Sequence, residues 1–213
     1  MSDHVAILAA HYDLWDWRRR VAALYAAVRE IEQPKLGWQL WRQTRDELFQ
    51  DHPMSPLDPG ARTRFKGLPL FDYDPGLRFA VRLEPVATPF EHEWSGGKDG
   101  MIHMHAFART GGLERRLGGE LTLYWIGGYG GGVFLPFKDA TSGRATYGGG
   151  RYLLDTIKSA DLGATPDGRV ILDFNFAYHP SCAYSDRWIC PLSPAENTLP
   201  VAVRAGERLR EHN

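Results

Sequence analysis

The chain has 213 residues, 25 Lys and Arg against 26 Asp and Glu, a formal net charge of -1 and only two cysteines. That length fits one domain with an appended arm and is enough to bury a sizeable core. The near-zero charge offers no field to gather phosphate backbones or acidic lipids, which sets nucleic acid and membrane surfaces aside as expected partners.

Asp3, His4, His11, Asp13, Asp16 and Arg18 interrupt the start of the chain, so the apolar core of a secretory leader is not expected, nor is a membrane span further on. The expected location is cytoplasmic. From His11 to Ile31 the residues Leu14, Trp15, Val21, Leu24, Tyr25, Val28 and Ile31 recur at helical spacing, with Arg18, Arg19, Arg20, Arg29 and Glu30 between them. This predicts a surface helix. Pro34 and Gly37 read as its end, and Trp38 to Phe49 as a second helix through Trp41, Arg45 and Leu48. Glu30, Glu32, Asp46 and Glu47 offset the arginines, so this is read as a solvated face. Residues 1–50 are thus expected to form a helical arm, ahead of a β-rich body at 51–213 in a single domain overall. Trp15, Trp17, Trp38 and Trp41 are too apolar to stand in water together, so the arm should pack on the body.

Pro53, Pro56, Pro59 and Gly60 exclude regular structure at the junction. Beyond it the period becomes two: Leu77, Phe79, Val81 and Leu83 alternate with Arg78, Ala80, Arg82 and Glu84. Further strand-like runs fall at 102–108, 120–126, 132–137 and 169–174, and Leu199, Val201 and Val203 suggest a last strand. The expected fold is mainly β (α+β), an antiparallel β-barrel or two-sheet sandwich with two N-terminal helices packed on it. The glycine-rich run from Gly127 to Gly132 leads into a strand and not a helix, so it reads as a hairpin or bulge turn and not a phosphate cradle.

The ordered segments 134–143, 146–153, 173–175, 177–184 and 190–199, together with Trp41-Arg42, Arg45, Ser55-Pro-Leu and Phe65-Lys-Gly-Leu, resemble the uncharacterised bacterial family domain of unknown function 1684. The resemblance reaches from about the second helix onward. It departs from the family pattern at His179, where asparagine is usual, and it implies no assigned activity. Within these segments Asp139, Thr146, Tyr147, Arg151, Asp173, Asn175, Tyr178 and Cys182 set hydrogen-bonding groups beside strand ends and turns, with Thr141, Tyr152 and Tyr184 nearby.

Two readings stay open. In one, these residues line a pocket for a small polar or anionic organic ligand, with Arg151 as a planar fork and a tyrosine or aspartate as proton carrier in an enzyme. In the other, they form a satisfied polar core in a structural or protein-interaction domain whose Trp-rich arm makes a homodimer. An Arg151 exposed in a concave pocket favours the first, and an Arg151 closed off by Asp139 or Asp173 the second.

A third alternative is a metal-dependent barrel enzyme, because His103 and His105 lie two apart and face one side of a strand. Glu91, His92, Glu93 and Glu114 are near in sequence, but none stands at a dictated ligand spacing. Cys182 and Cys190 read as free thiols or as a short-loop disulfide, and Cys182 with His179 as a thiolate–imidazolium pair. There is no Gly-x-Ser-x-Gly elbow. The pattern assigns no catalytic residue and no cofactor.

Overall fold

A computed structural model describes residues 3–96 and 100–210. Two long helices open the chain, α1 at Asp3–Glu30 and α2 at Pro34–Asp51. Pro34 starts α2 and does not merely end α1: its missing N–H falls where a helix start leaves donors unpaired anyway. Gly37 lies inside α2 because the helices touch there; an added Cβ would stand 3.3 Å from the Val28 Cγ1. The proline-rich junction carries one turn of helix, α3 at Pro59–Arg62, again begun by a proline, where the sequence suggested no regular structure.

Seven strands follow: β1 Arg78–Pro85, β2 Glu91–Ser95, β3 Met101–Gly111, β4 Thr122–Ile126, β5 Gly132–Phe137, β6 Arg151–Asp155 and β7 Val170–Asp173. A short helix, α4 at Glu114–Leu117, joins β3 to β4. The sheet runs β6-β5-β4-β3-β1-β7, every pair antiparallel, and β2 takes the N-terminal half of β3 while β1 takes its C-terminal half. The result is a nearly closed, barrel-like sheet. It is helped shut by Tyr178, whose backbone pairs with Tyr152 of β6 outside the named strands. The run Gly127–Gly131 turns β4 into β5, with Ile126 opposite Gly132.

The expected last strand at 199–203 is not a strand. The Leu199 amide bonds the Lys138 carbonyl at 2.9 Å, and the Val203 amide bonds Asp139 Oδ2 at 2.5 Å. The tail's carbonyls then turn to the Arg151 side chain and not to a neighbouring strand. This segment looked like a strand because Leu199 and Val203 are buried, while Val201 stays half-exposed.

The largest apolar cluster fills one part of the barrel around Leu113, Leu121, Leu135, Phe137, Leu172 and Phe174. A second, with Met104, Ala106, Tyr124, Phe134 and Tyr152, fills the part under β2. The third seats the arm: Leu24, Tyr25, Val28, Trp38 and Trp41 meet Ala160 and Phe176. Trp38 Nε1 donates to the Asn175 carbonyl at 3.0 Å, and Trp41 Nε1 to Tyr25 Oη at 3.1 Å. The arm therefore packs on the body through α2 and the C-terminal half of α1. Trp15 does not join it and is 57% exposed.

Candidate functional site

The eight residues singled out by the sequence fall into separate groups. Asp139, Thr146 and Arg151 form one buried network with the tail, in which the Arg151 Nε alone of the guanidinium nitrogens has no hydrogen-bond partner. Arg151 is buried; its Nη1 donates to the Ala205 carbonyl and, at 3.4 Å, to that of Glu207, and its Nη2 to the Val203 carbonyl at 2.9 Å. Asp139 Oδ1 stands 3.5 Å from Nη2 and the Phe137 ring lies 4.9 Å from the guanidinium carbon. Burial pulls this guanidinium down to about 10 against the opposing charge of Asp139, so it stays charged at neutral pH. Thr141 Oγ1 bridges Asp139 Oδ1 at 2.8 Å and Thr146 Oγ1 at 2.9 Å.

Asp173 and Asn175 make a second buried group, in which Asp173 Oδ2 accepts no hydrogen bond and has Arg78 Nη1 3.6 Å away. Asp173 Oδ1 accepts from the Asn175 amide and from its Nδ2, at 3.0 and 2.7 Å. The Asn175 side chain also clasps the backbone of Asp74 on both sides, at 2.8 Å each. Burial raises the Asp173 carboxyl above its ordinary range, with Asn175 and Arg78 pulling the other way. Tyr178 lies under the Arg45 guanidinium, 4.9 Å from ring centre to guanidinium carbon, and against Tyr152. Tyr147 and Cys182 meet in a third place, Oη to Sγ at 3.7 Å.

Sequence reasoning passed over the hub of the buried polar core, Glu207. Its carboxylate takes Arg45 Nε at 3.1 Å and Nη2, Tyr184 Oη at 2.6 Å and the His179 amide at 2.8 Å. Burial opposes ionisation, yet Arg45, His179 and Tyr184 together hold Glu207 below the usual carboxylate range. His179 Nε2 accepts from the Tyr147 amide at 3.2 Å, and burial pushes the imidazole down to about 4, against the attraction of Glu207. A neutral imidazole committed to a backbone amide is not poised to activate Cys182. Arg45 was legible as part of the second helix's spacing and of the resemblance, with nothing to tie it to a residue near the far end of the chain.

A different constellation reaches solvent. His92 of β2, Tyr124 of β4 and Glu196 of the 3-10 turn Ala195–Asn197 meet on the inner face of the sheet. His92 Nε2 is 2.5 Å and Tyr124 Oη 2.7 Å from the same atom, Glu196 Oε1, so neither is placed on the second carboxylate oxygen. The side chains of His92 and Glu196 are 32% and 35% exposed. Burial works against the Glu196 charge, but hydrogen bonds from His92 and Tyr124 outweigh it and keep the group ionised. Burial, then Glu196, drives the Tyr124 phenol upward, so it stays a donor.

Phe90 and Trp94 flank His92 with ring centres 5.6 and 5.5 Å away. Asn197 fixes the turn that carries Glu196: its Nδ2 donates to the carbonyls of Thr122 and Pro136 at 2.8 Å each, and its Oδ1 accepts from the Thr122 amide. The sequence weighed His92 only as a metal ligand, and Glu196 only as part of a motif.

His103 and His105 lie on the opposite, outer face. They stand across from Glu93 and Glu91, with His103 Nδ1 at 3.3 Å from Glu93 Oε1. Among the described residues no three His, Cys, Asp or Glu side chains gather closely enough to hold a metal ion. No helix among the described residues is long and apolar enough to cross a membrane.

Residues 63–208 match a protein family described as of unknown function, DUF1684. The chain belongs to this family. A solution NMR structure of an uncharacterized protein from gene locus rrnAC0354 of Haloarcula marismortui is similar at 34% identity, covering 82% of this chain and 94% of that one, with a TM-score of 0.56. No curated protein matches. The segment that matches DUF1684 holds His92, Tyr124 and Glu196 as well as Arg151 and Glu207, whereas Arg45 lies ahead of it.

Proposed function

We propose that the β body binds a small polar organic ligand at His92, Tyr124 and Glu196, with Phe90 and Trp94 as apolar walls. One observation carries the reading: an ionised carboxylate, fixed on one oxygen by a histidine and a tyrosine, stands a third exposed beside aromatic rings. Such a group suits a ligand with a hydrogen-bond donor or an organic ammonium, which the rings also attract. An anionic ligand has less support, because the Arg151 fork is committed to the tail. His92 is the group fit to move a proton should the ligand react. Native mass spectrometry of the chain purified from its own host tests the reading: a retained small organic molecule, lost in Glu196→Gln, is expected, and a bare mass under gentle desolvation counts against it.

A second reading has its own observation. Residues 4–12 of α1 are exposed on every side, among them Val5, Ile7, Leu8 and Tyr12. An open groove of about 860 Å³ between α1 and α2 carries the carboxylates of Asp13, Asp16, Glu47 and Asp51, while Arg18 and Arg19 project from the same helix. A surface with exposed apolar side chains, acids and bases side by side can meet its own copy across a two-fold axis, so a second copy of this chain is its proposed occupant. Light scattering should give a dimer, and Leu8→Glu a monomer. A monomeric parent chain at high concentration would sink this reading.

A further inference from the structure

We propose that the ligand held by Glu196 is a methylated, quaternary ammonium and not a primary amine. This rests on the reading of His92, Tyr124 and Glu196 as a ligand site, and it names the chemical class that the site selects. Phe90, His92 and Trp94 alternate along one extended segment, so their side chains project from the same face of the sheet. Phe90 stands just ahead of β2, and its carbonyl accepts from the Ala106 amide at 2.9 Å. Ala106 in turn faces Tyr124 on β4. Phe90 and Tyr124 are thus separated by a residue with no side chain beyond Cβ, and their ring centres come within 6.3 Å.

The ring planes are steep to one another. Phe90 lies at 86° to His92 and 78° to Tyr124, and His92 at 60° to both Trp94 and Tyr124. Rings set this way make walls and not a stack. Tyr124 is buried and gives its hydroxyl to Glu196, whereas Phe90 is 37% exposed and Trp94 half-buried. The open aromatic surface beside the carboxylate is therefore that of Phe90 and Trp94, one on either side of His92.

The two kinds of cation differ in what they ask of such a site. A primary ammonium carries three N–H donors, each bonded to water before it binds. His92 Nε2 and Tyr124 Oη both occupy Glu196 Oε1, which leaves at most Oε2 to receive a ligand N–H. Phe90 and Trp94 add no acceptor. At least two N–H groups of a primary amine would then face ring carbon, and donors left unpaired lower affinity. A quaternary ammonium has no N–H to satisfy. Its charge is spread over methyl groups that ring faces attract, and the ionised Glu196 supplies the opposite charge without a directed bond. Phe90 and Trp94 are thus the specificity-determining residues, while Glu196 holds either kind of cation.

Choline and ethanolamine differ only by the methyl groups on nitrogen and serve as matched probes. Amide shift titrations of the full chain, at neutral pH and constant ionic strength, should give choline an affinity about tenfold above that of ethanolamine. Tetramethylammonium chloride should bind at the same place, and ammonium chloride should not. Phe90→Leu and Trp94→Leu keep apolar bulk but remove a ring face, so each should weaken choline several-fold and leave ethanolamine within about twofold. Phe90 is the more exposed, so its variant carries the test if Trp94→Leu does not fold. Ethanolamine binding as tightly as choline, with both lost in Glu196→Gln, would overturn the quaternary assignment and leave the ligand site standing. If none of these cations gives saturable shifts at β2, β4 and the turn Ala195–Asn197 at millimolar concentration, the site is no cation receptor and the proposal falls with it.

Discussion

Truncating Arg151 to alanine removes a cation from a fully buried site. Three tail carbonyls, those of Val203, Ala205 and Glu207, lose their donor, and the Asp139 carboxylate is left 3.5 Å from empty space. Breaking a buried pair by removing one partner costs about 3–5 kcal/mol. In a domain of this size each kcal/mol moves the melting temperature by about 2–4 °C, so Arg151→Ala should melt roughly 6–20 °C below the parent chain. Arg151→Lys keeps the charge but reaches fewer carbonyls and should fall between the two. Adding Asp139→Asn separates the terms: if the pair is coupled, the double variant loses less than the two single losses summed. Thermal and urea melts read all four proteins. An Arg151→Ala midpoint within about 2 °C of the parent would refute the buried network and return Arg151 to a ligand role.

His179 makes stability fall toward acid. Its folded pKa of about 4 lies below its ordinary 6.5, so the unfolded chain binds the extra proton between those values, and roughly 3 kcal/mol should be lost as pH drops from 6.5 to 4. Urea midpoints should show this slope, and His179→Asn should flatten it; equal slopes would contradict the burial of a neutral imidazole. Glu207→Ala strands Arg45 and should cost about 3–5 kcal/mol, with the arm more open to proteolysis than in the parent. A loss below about 1 kcal/mol would mean that Glu207 does not hold α2 to the tail. Asn197→Ala should lower stability by about 1–3 kcal/mol through two unpaired carbonyls and weaken any ligand held by Glu196, and unchanged affinity in a folded variant would show that the turn needs no such clasp.

What the sequence reveals follows from what each element presents to water. β5 is legible to the residue, Gly132–Phe137, because a glycine run leads into it, its residues are apolar and the charged pair Lys138-Asp139 follows it. β6 was missed because all five of its residues are buried, so it lacks the alternation that a half-exposed strand shows. Its arginine, read as a ligand fork, is buried because the tail's carbonyls come to it, and a backbone acceptor leaves no mark in side-chain pattern. α1 begins earlier than its apolar spacing suggested, because residues 4–12 are exposed on all sides and follow no single stripe. His92 and Glu196 are 104 residues apart, and only the pairing of β2 with β3 and the Asn197 clasp bring them together.

The most direct test of a ligand at His92, Tyr124 and Glu196 is amide chemical-shift mapping of the full chain against a panel of small organic ammonium compounds and polyols. The account predicts saturable shifts centred on β2, β4 and the turn Ala195–Asn197, abolished in Glu196→Gln while the rest of the spectrum keeps its dispersion. Shifts elsewhere that survive Glu196→Gln, or none with any compound at millimolar concentration, would contradict it.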